Sequence, residues 1–376
     1  MLKVGIVGCG KIADAHVSQI QRIKSCKICG VCDQEPLMAG QLFERAVVER
    51  CFDDVREMLR QAKPDVIHIT TPPQSHFEIG KICLESGCHI YVEKPFTVNE
   101  DDARALISMA TERGLKITVG HDEQFCHAAR RMRELVRTGY LGDRAVHMES
   151  YYCYELDSSG YTGALLGDKN HWVRALPGRW LHNIISHGIA RIAEFMKDDF
   201  PSVTAHGYVS PLLRSMGEKE IVDELRVIIS EGQCTSAYFT FSSQMRPAIR
   251  QFRIYGSANG MILDQDQETL IMLRGEKYKS YLEKFVPPVL IAKQYIHNLC
   301  LNVRSFGAND FHMKSGMKYL TESFYKSIKD EAAVPIPYRE IILTAKIMDD
   351  IFQQLNTPRS DGRVSPTQFA ESKMRV

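Results

Sequence analysis

Residues 5 to 13 read Gly5-Ile6-Val7-Gly8-Cys9-Gly10-Lys11-Ile12-Ala13, which places Gly8, Gly10 and Ala13 at Gly-x-Gly-x-x-Ala spacing. Gly8 permits a tight turn, Gly10 lets the backbone approach a pyrophosphate, and Ala13 allows close helix–strand packing. The helix opening at Lys11 and Ile12 then faces the phosphates with its N-terminus. Asp33 follows twenty residues after Ala13, at the end of the next apolar run. An acid there accepts hydrogen bonds from ribose hydroxyls and repels a 2′-phosphate, so the expected cofactor is NAD rather than NADP. The plainer alternative is that Asp33 only caps the following helix and the glycines are simple turns.

Two further segments carry usable chemistry. Thr70-Thr71-Pro72-Pro73-Gln74-Ser75-His76 is a proline-stiffened loop whose hydroxyls and amide can meet a nicotinamide ribose. In Glu93-Lys94-Pro95, the proline fixes the backbone, so Lys94 is presented from a rigid strand end.

These segments need strand ends to hold them, and the periodicity supplies strands. Short apolar runs at 2–7, 27–33, 65–70, 88–92 and 116–119 alternate with helical patterns at 11–23, 36–46, 76–85 and 100–113. That rhythm is the mark of βαβ units and a doubly wound parallel sheet, whose ligands collect beyond the strands' C-terminal ends. Beyond Gly120 the pattern becomes α+β. Helices are expected at 124–137 and 179–196, strands at 145–154, 225–230, 235–241, 250–256 and 260–264, and helices at 289–306, 313–329 and 338–355. The expectation is two domains: residues 1–120, a dinucleotide-binding Rossmann domain, and residues 121–376, a substrate and oligomerisation domain built on one large, mainly antiparallel sheet. The terminal polar stretch is expected to fray.

Taken together, the glycine turn, Thr71 to His76, Glu93-Lys94-Pro95, Val119-Gly120-His121 and the segment carrying Asn183 and His187 resemble the glucose-fructose oxidoreductase and inositol dehydrogenase family, Gfo/Idh/MocA. The resemblance spans nearly the whole chain. It implies that Lys94 contacts both cofactor and substrate, that residues Thr71, Pro72, Pro73, His76, Glu93 and Pro95 border the cofactor, and that an Asp and a His one helical turn apart complete the site. Asn183 and His187 are four apart and project from one helix face. Asn183 stands where the family usually has Asp; an amide cannot accept a proton or raise the pKa of His187 by charge.

The resulting expectation makes His187 the general acid/base for a substrate hydroxyl, Lys94 the stabiliser of the developing alkoxide, and Asn183 an orienting group. The substrate is expected to be a sugar, inositol or nucleotide sugar. His121 and Gln124 follow Gly120, just past the fifth expected strand; Gln124 replaces an Arg of many relatives and can bond a hydroxyl but not pair with an anion. Trp172 and Arg174 are candidates for a substrate wall, by stacking on a sugar face and by binding phosphate or carboxylate, against simple domain packing. Two other functions stay open: a glycoside-cleaving enzyme that oxidises its sugar transiently, and a sensor that binds dinucleotide without chemistry.

His171, His182 and His187 lack the spacing and acidic companion of a zinc site, so no metal is expected. Cys26, Cys29 and Cys32 are read as strand packing rather than ligands. The 376 residues are 44% hydrophobic and 25% charged, ordinary for a globular protein. Lys and Arg number 47 against 46 Asp and Glu, so no overall field attracts nucleic acid. The chain opens directly on a strand, no apolar run reaches the roughly 18 residues of a spanning helix, and eleven scattered cysteines suit reduced thiols, so a cytoplasmic protein is expected. On the helix at 289–306, Val289, Ala292, Ile296, Leu299 and Val303 share one face, with Lys293, His297 and Arg304 elsewhere. That face suits its own sheet or a neighbouring subunit, with peripheral membrane contact as the alternative; a homodimer or homotetramer is expected.

Overall fold

The computed structural model describes residues 1–156, 161–311 and 314–357. The expected frayed tail and the expected helix start at Met313 lie outside the described residues. The first sheet has six parallel strands in the order Cys51–Phe52, Cys26–Cys32, Leu2–Val7, Val66–Ile69, His89–Val92, Ile117–Val119. Chain direction across the sheet reverses between Leu2–Val7 and Val66–Ile69, which opens a crevice beyond their C-terminal ends, where Gly8 and Thr71 stand. Val4, Ile6, Val31, Val66, Ile69, Ile90 and Val92 are fully buried or nearly so, as a sheet covered on both faces requires. The strand Cys51–Phe52 and the helix Val55–Ala62, capped by Asp54 accepting from Glu57 N, were not anticipated from the sequence.

The second sheet has seven strands, ordered Thr269–Arg274, Asn259–Asp264, Arg250–Gly256, Ala145–Tyr152, Thr235–Ser242, Glu224–Glu231, Ser202–Tyr208. All pairs are antiparallel except Ala145–Tyr152 with Thr235–Ser242. Along Glu224–Glu231, Leu225, Val227 and Ile229 are buried while Ile228 is exposed, so one face carries the core. Helices Ser186–Ala193 and Tyr338–Asn356 cover that face.

Three expectations change. The helix anticipated over 179–196 is two helices, Arg179–Ile184 and Ser186–Ala193, broken at Ile185. The helix Ser315–Lys329 follows the second sheet in sequence yet packs into the first core, through Leu320, Phe324 and Tyr325; a division at residue 120 therefore describes the two sheets but not the two cores. Finally, Leu282–Gly307 forms a 26-residue helix along the edge strand Thr269–Arg274, and it turns its amides inward. Gln294 bonds Met272 at both its N–H and its C=O (2.7 and 3.0 Å), and Asn298 does the same at Leu270 (3.2 and 3.0 Å). Side-chain amides thus satisfy the backbone groups that a neighbouring strand would otherwise take.

Cys26, Cys29 and Cys32 lie in one strand; the Cys29 thiol donates to Val4 O and the Cys26 thiol to Ile23 O, each within its own packing. Among the described residues no group of three or more His, Cys, Asp or Glu side chains is placed to hold a metal ion, and no helix is long and apolar enough to cross a membrane.

Candidate functional site

The glycine turn sits at the crevice. Gly8 has φ +96°, and a Cβ there would stand 2.7 Å from Thr71 N, so only glycine fits against the neighbouring loop. Beside Gly10 there is open space within 4 Å of a built Cβ. The helix Lys11–Ile20 begins there with no side-chain cap, leaving its first N–H groups available, and Lys11 is exposed beside a half-buried Ile12. Asp33 ties the turn to the second strand: Oδ2 accepts from Cys9 N (2.7 Å) and Oδ1 from Glu35 N (3.0 Å). The capping alternative weighed in the sequence is not taken up, because the helix Pro36–Arg45 has Glu35 at its N-cap and no side-chain cap bond; Asp33 instead closes a local turn at the crevice.

Lys94 is half-buried at the end of His89–Val92, and its ammonium donates to the main-chain carbonyl of Asn183 (3.0 Å). Burial pushes its pKa below the usual lysine value, while Glu93 and Asp122 oppose that push. Behind Lys94 runs a buried chain. The main-chain N–H of Lys94 donates to Glu93 Oε2 (3.1 Å), and His16 Nε2 donates to Glu93 Oε1 (2.9 Å). His16 Nδ1 and His68 Nδ1 share a hydrogen bond of 2.7 Å, and His68 Nε2 meets the Tyr325 hydroxyl at 2.7 Å. Burial alone would raise the pKa of Glu93, but the His16 hydrogen bond and the charge of Lys94 hold it down at about 2, so it is ionised.

His187 reaches the same place from Ser186–Ala193. Its ring meets His121 edge-on at 5.8 Å and stacks on Tyr152 at 6.0 Å. Nδ1 is buried without a hydrogen-bond partner, as is His121 Nε2. Burial pushes the His187 pKa down to about 3, with Lys94 and Lys314 adding to the push and Asp122 opposing it. The imidazole is therefore neutral. Tyr152 donates its hydroxyl to Glu123 Oε1 (2.9 Å), Lys314 pairs with Asp122 (3.4 Å), and Arg250 pairs with Asp266 (2.7 Å) and Glu123 (3.7 Å). Asp122, Glu123, Arg250, Asp266 and Lys314 border a cavity of about 500 Å³ that Phe306 also lines; Tyr152 and His187 stand behind that wall, joined to it through the Tyr152 bond to Glu123.

Lys94, Asn183, His187 and His121 thus converge. Four other sequence candidates have different work. Gln124 is buried and donates to Ala190 O (3.2 Å) and Glu194 Oε2 (3.0 Å), so it fastens its turn to a helix instead of lining the cavity. The Arg174 guanidinium bonds Leu165 O (2.9 Å) and pairs with Glu218 (2.7 Å), so it ties two segments of the second domain together. His76 is buried as a staple between loops, with Nε2 at Thr71 O (2.8 Å) and Nδ1 at Pro95 O (3.1 Å), and Glu93 supports Lys94 from behind. Trp172 O accepts from Gln74 Nε2 (2.9 Å), so that turn does close over the Thr71–Pro72–Pro73 loop. Sequence reasoning missed Tyr152, Asp122, Glu123, Arg250 and Lys314. Tyr152 ends a strand beside the site helix, a signal that was available; Lys314 lies 192 residues from Asp122, and only folding joins them.

Residues 2–121 match the model of an oxidoreductase family with an NAD-binding Rossmann fold, Gfo/Idh/MocA. Among curated relatives, the D-glucoside 3-dehydrogenase of Escherichia coli is 32% identical over 143 residues, 38% of this chain and 41% of the relative. The UDP-N-acetylglucosamine 3-dehydrogenase of Acidithiobacillus ferrooxidans is 31% identical over 135 residues, 35% of this chain and 41% of the relative. The match spans about two fifths of the length of these relatives. The WlbA dehydrogenase from Bordetella pertussis, solved with NADH and UDP-GlcNAcA, superposes with a TM-score of 0.72 at 15% identity over 94% of both chains. The fold and the family match together define an NAD-binding Rossmann domain joined to an open-sheet domain. The N-terminal domain of this chain belongs to the Gfo/Idh/MocA oxidoreductase family.

Proposed function

We propose that the chain is an NAD-dependent dehydrogenase that moves a hydride between the nicotinamide and a hydroxyl-bearing carbon of a sugar, inositol or nucleotide sugar. The observation that carries this reading is the meeting of the Lys94 ammonium with the segment bearing Asn183 and His187, next to a crevice shaped for a dinucleotide. The dinucleotide fits the residues present: Gly8 must be glycine, Gly10 faces open space, and the helix behind it is uncapped. Gly8, Gly10 and the first turn from Lys11 would hold the pyrophosphate, and Asp33 the adenosine ribose, with its charge favouring NAD over NADP. When bound, the nicotinamide supplies the hydride acceptor or donor.

The chain's own side chains then handle the hydroxyl. Lys94 donates a hydrogen bond to the substrate oxygen and stabilises negative charge as it develops. Neutral His187 accepts the hydroxyl proton in oxidation and returns it in reduction. Around the cavity Asp122, Glu123, Asp266 and Glu268 outnumber Arg250 and Lys314, and both cations are already paired. A part of the substrate that enters this cavity meets more carboxylates than cations, which favours an uncharged or amine-bearing group there.

The test is a panel of neutral polyols, amino sugars, sugar acids and nucleotide sugars, offered with NAD and with NADP, reading absorbance of the reduced nicotinamide. Accumulating NADH with a neutral or amino-bearing ring is expected. Absence of heat with either coenzyme in titration calorimetry would overturn the reading.

A further inference from the structure

Two arginines on the helix His127–Arg137 lack the partner that their neighbours have. Arg133 pairs with Glu194 (2.6 Å), and Arg137 is held by both oxygens of Glu134 (2.7 and 2.9 Å). Arg130 and Arg131 are half-buried, and among the described residues neither has a carboxylate within ion-pair distance. Arg131 donates to the Asn298 amide oxygen (2.9 Å), and burial pushes its pKa below the usual value with no acid opposing the push. Arg130 lays its guanidinium over the Tyr319 ring at 4.0 Å and donates to His127 Nδ1 (2.8 Å), while its Nε is buried without a partner. With Nδ1 accepting, His127 carries its proton on Nε2 and donates it to Asp310 O (2.9 Å). Both charges are thus partly desolvated among neutral partners, a cost that an anion offsets.

Arg130 and Arg131 border a cavity of about 340 Å³ that Asn302 and Ser305 of Leu282–Gly307 also line. Its two acids are committed elsewhere. Glu134 is the partner of Arg137, and Glu268 accepts from Ala128 N (3.2 Å) at the N-terminus of the helix, where a carboxylate is favoured by the helix dipole. We propose that this cavity is a binding site for a phosphoryl group. The planar forks of two adjacent arginines match the oxygens of a phosphate, and its charge is the one that both lack. A single carboxylate fits less well, because its two oxygens satisfy one fork, whereas a phosphate or diphosphate has oxygens for both. Glu268 also lines the 500 Å³ cavity, and Ser305 precedes Phe306 of that cavity's wall, so the two cavities are neighbours. The pair suits a substrate that carries its phosphate away from the reacting carbon, with an uncharged stretch beside Asp122 and Glu123. That extension rests on the dehydrogenase reading; the phosphate site itself does not.

Titration calorimetry of the full chain with inorganic pyrophosphate tests the site, in phosphate-free buffer with NAD at saturation so that the glycine turn does not take the probe. Binding of one pyrophosphate per chain is expected. Arg130→Gln and Arg131→Gln, made separately, should each weaken it about 10- to 100-fold, the effect of removing a charged hydrogen-bond donor. Arg131→Lys, which keeps the charge but loses the fork, should weaken it less. Far-UV circular dichroism checks that each variant is folded, and should Arg130→Gln fail to fold without its Tyr319 contact, the two Arg131 variants carry the test. No heat with the wild type, or unchanged affinity in folded variants, would overturn the proposal. Glucose 6-phosphate and UDP-glucose as further probes separate the sources of the phosphate. A sugar-bearing probe that binds about tenfold or more tighter than pyrophosphate assigns the phosphate to the substrate; equal or weaker binding of both assigns it to a free anion. Failure of NAD to bind would sink the dehydrogenase reading alone, since the arginine variants would still report on this cavity.

Discussion

The ammonium of Lys94 lies 3.0 Å from the main-chain carbonyl oxygen of Asn183, so the contact between the two halves of the site runs through backbone, not through the side chain that departs from the family pattern. Asn183→Ala should therefore leave Lys94 in place. Asn183→Asp should do more, because a carboxylate one turn before His187 favours its protonated form and raises its pKa from about 3. The acid limb of the kcat/KM pH profile is expected to move up by about one unit or more in Asn183→Asp. An unmoved limb would place the side chain away from the reacting groups.

Lys94→Met removes the donor to the developing alkoxide. Turnover should fall about 10²- to 10³-fold, with NAD affinity within a few-fold of wild type by titration calorimetry. His187→Ala should cost about 10²- to 10⁴-fold in kcat. Full turnover in either variant would reject that residue's assignment.

Asp33→Ser removes the charge expected to repel a 2′-phosphate while keeping a small polar side chain near Cys9 N. The ratio of kcat/KM for NAD to that for NADP should fall at least tenfold. An unchanged ratio would leave Asp33 with only its two backbone bonds.

Six histidines, His68, His76, His89, His121, His182 and His187, have pKa values lowered by burial, His182 to about 4 and His187 to about 3. Unfolded, they titrate near 6.5. Between those values the unfolded chain binds more protons, so stability falls as pH drops below about 6.5, by about 1.4 kcal/mol per pH unit for each fully buried ring. Glu340, raised by burial to about 8, and Asp349, raised to about 6, work in the opposite direction and offset part of this loss. The urea midpoint should be lower at pH 5 than at pH 7; an equal or higher midpoint at pH 5 would contradict the prediction.

Tyr325→Phe takes one hydroxyl from the end of the chain Glu93–His16–His68 and leaves His68 Nε2 buried without a partner. A loss of about 1–3 kcal/mol in urea unfolding is expected. Because Tyr325 belongs to a helix that follows the second sheet, the same variant tests whether Ser315–Lys329 unfolds together with the first core.

The features legible in the sequence were those whose meaning is local. Gly8 and Gly10 are defined by a turn, Lys94 by its neighbouring proline, and His187 by its position in a helix-forming segment. The bonds that hold Gln124 and Arg174 were not legible, because their partners Glu194 and Glu218 are distant in sequence. The helical break at Ile185 left no marker, since neither glycine nor proline stands there. For Leu282–Gly307 the period was readable, but whether the apolar face turned in or out depended on Gln294 and Asn298 finding an edge strand.

That amide ladder has a consequence for the protein at high concentration. An open strand edge is a template on which further strands add, the route to fibres. At Leu270 and Met272 the template is already occupied by Asn298 and Gln294. The large sheet therefore stops at seven strands on that side.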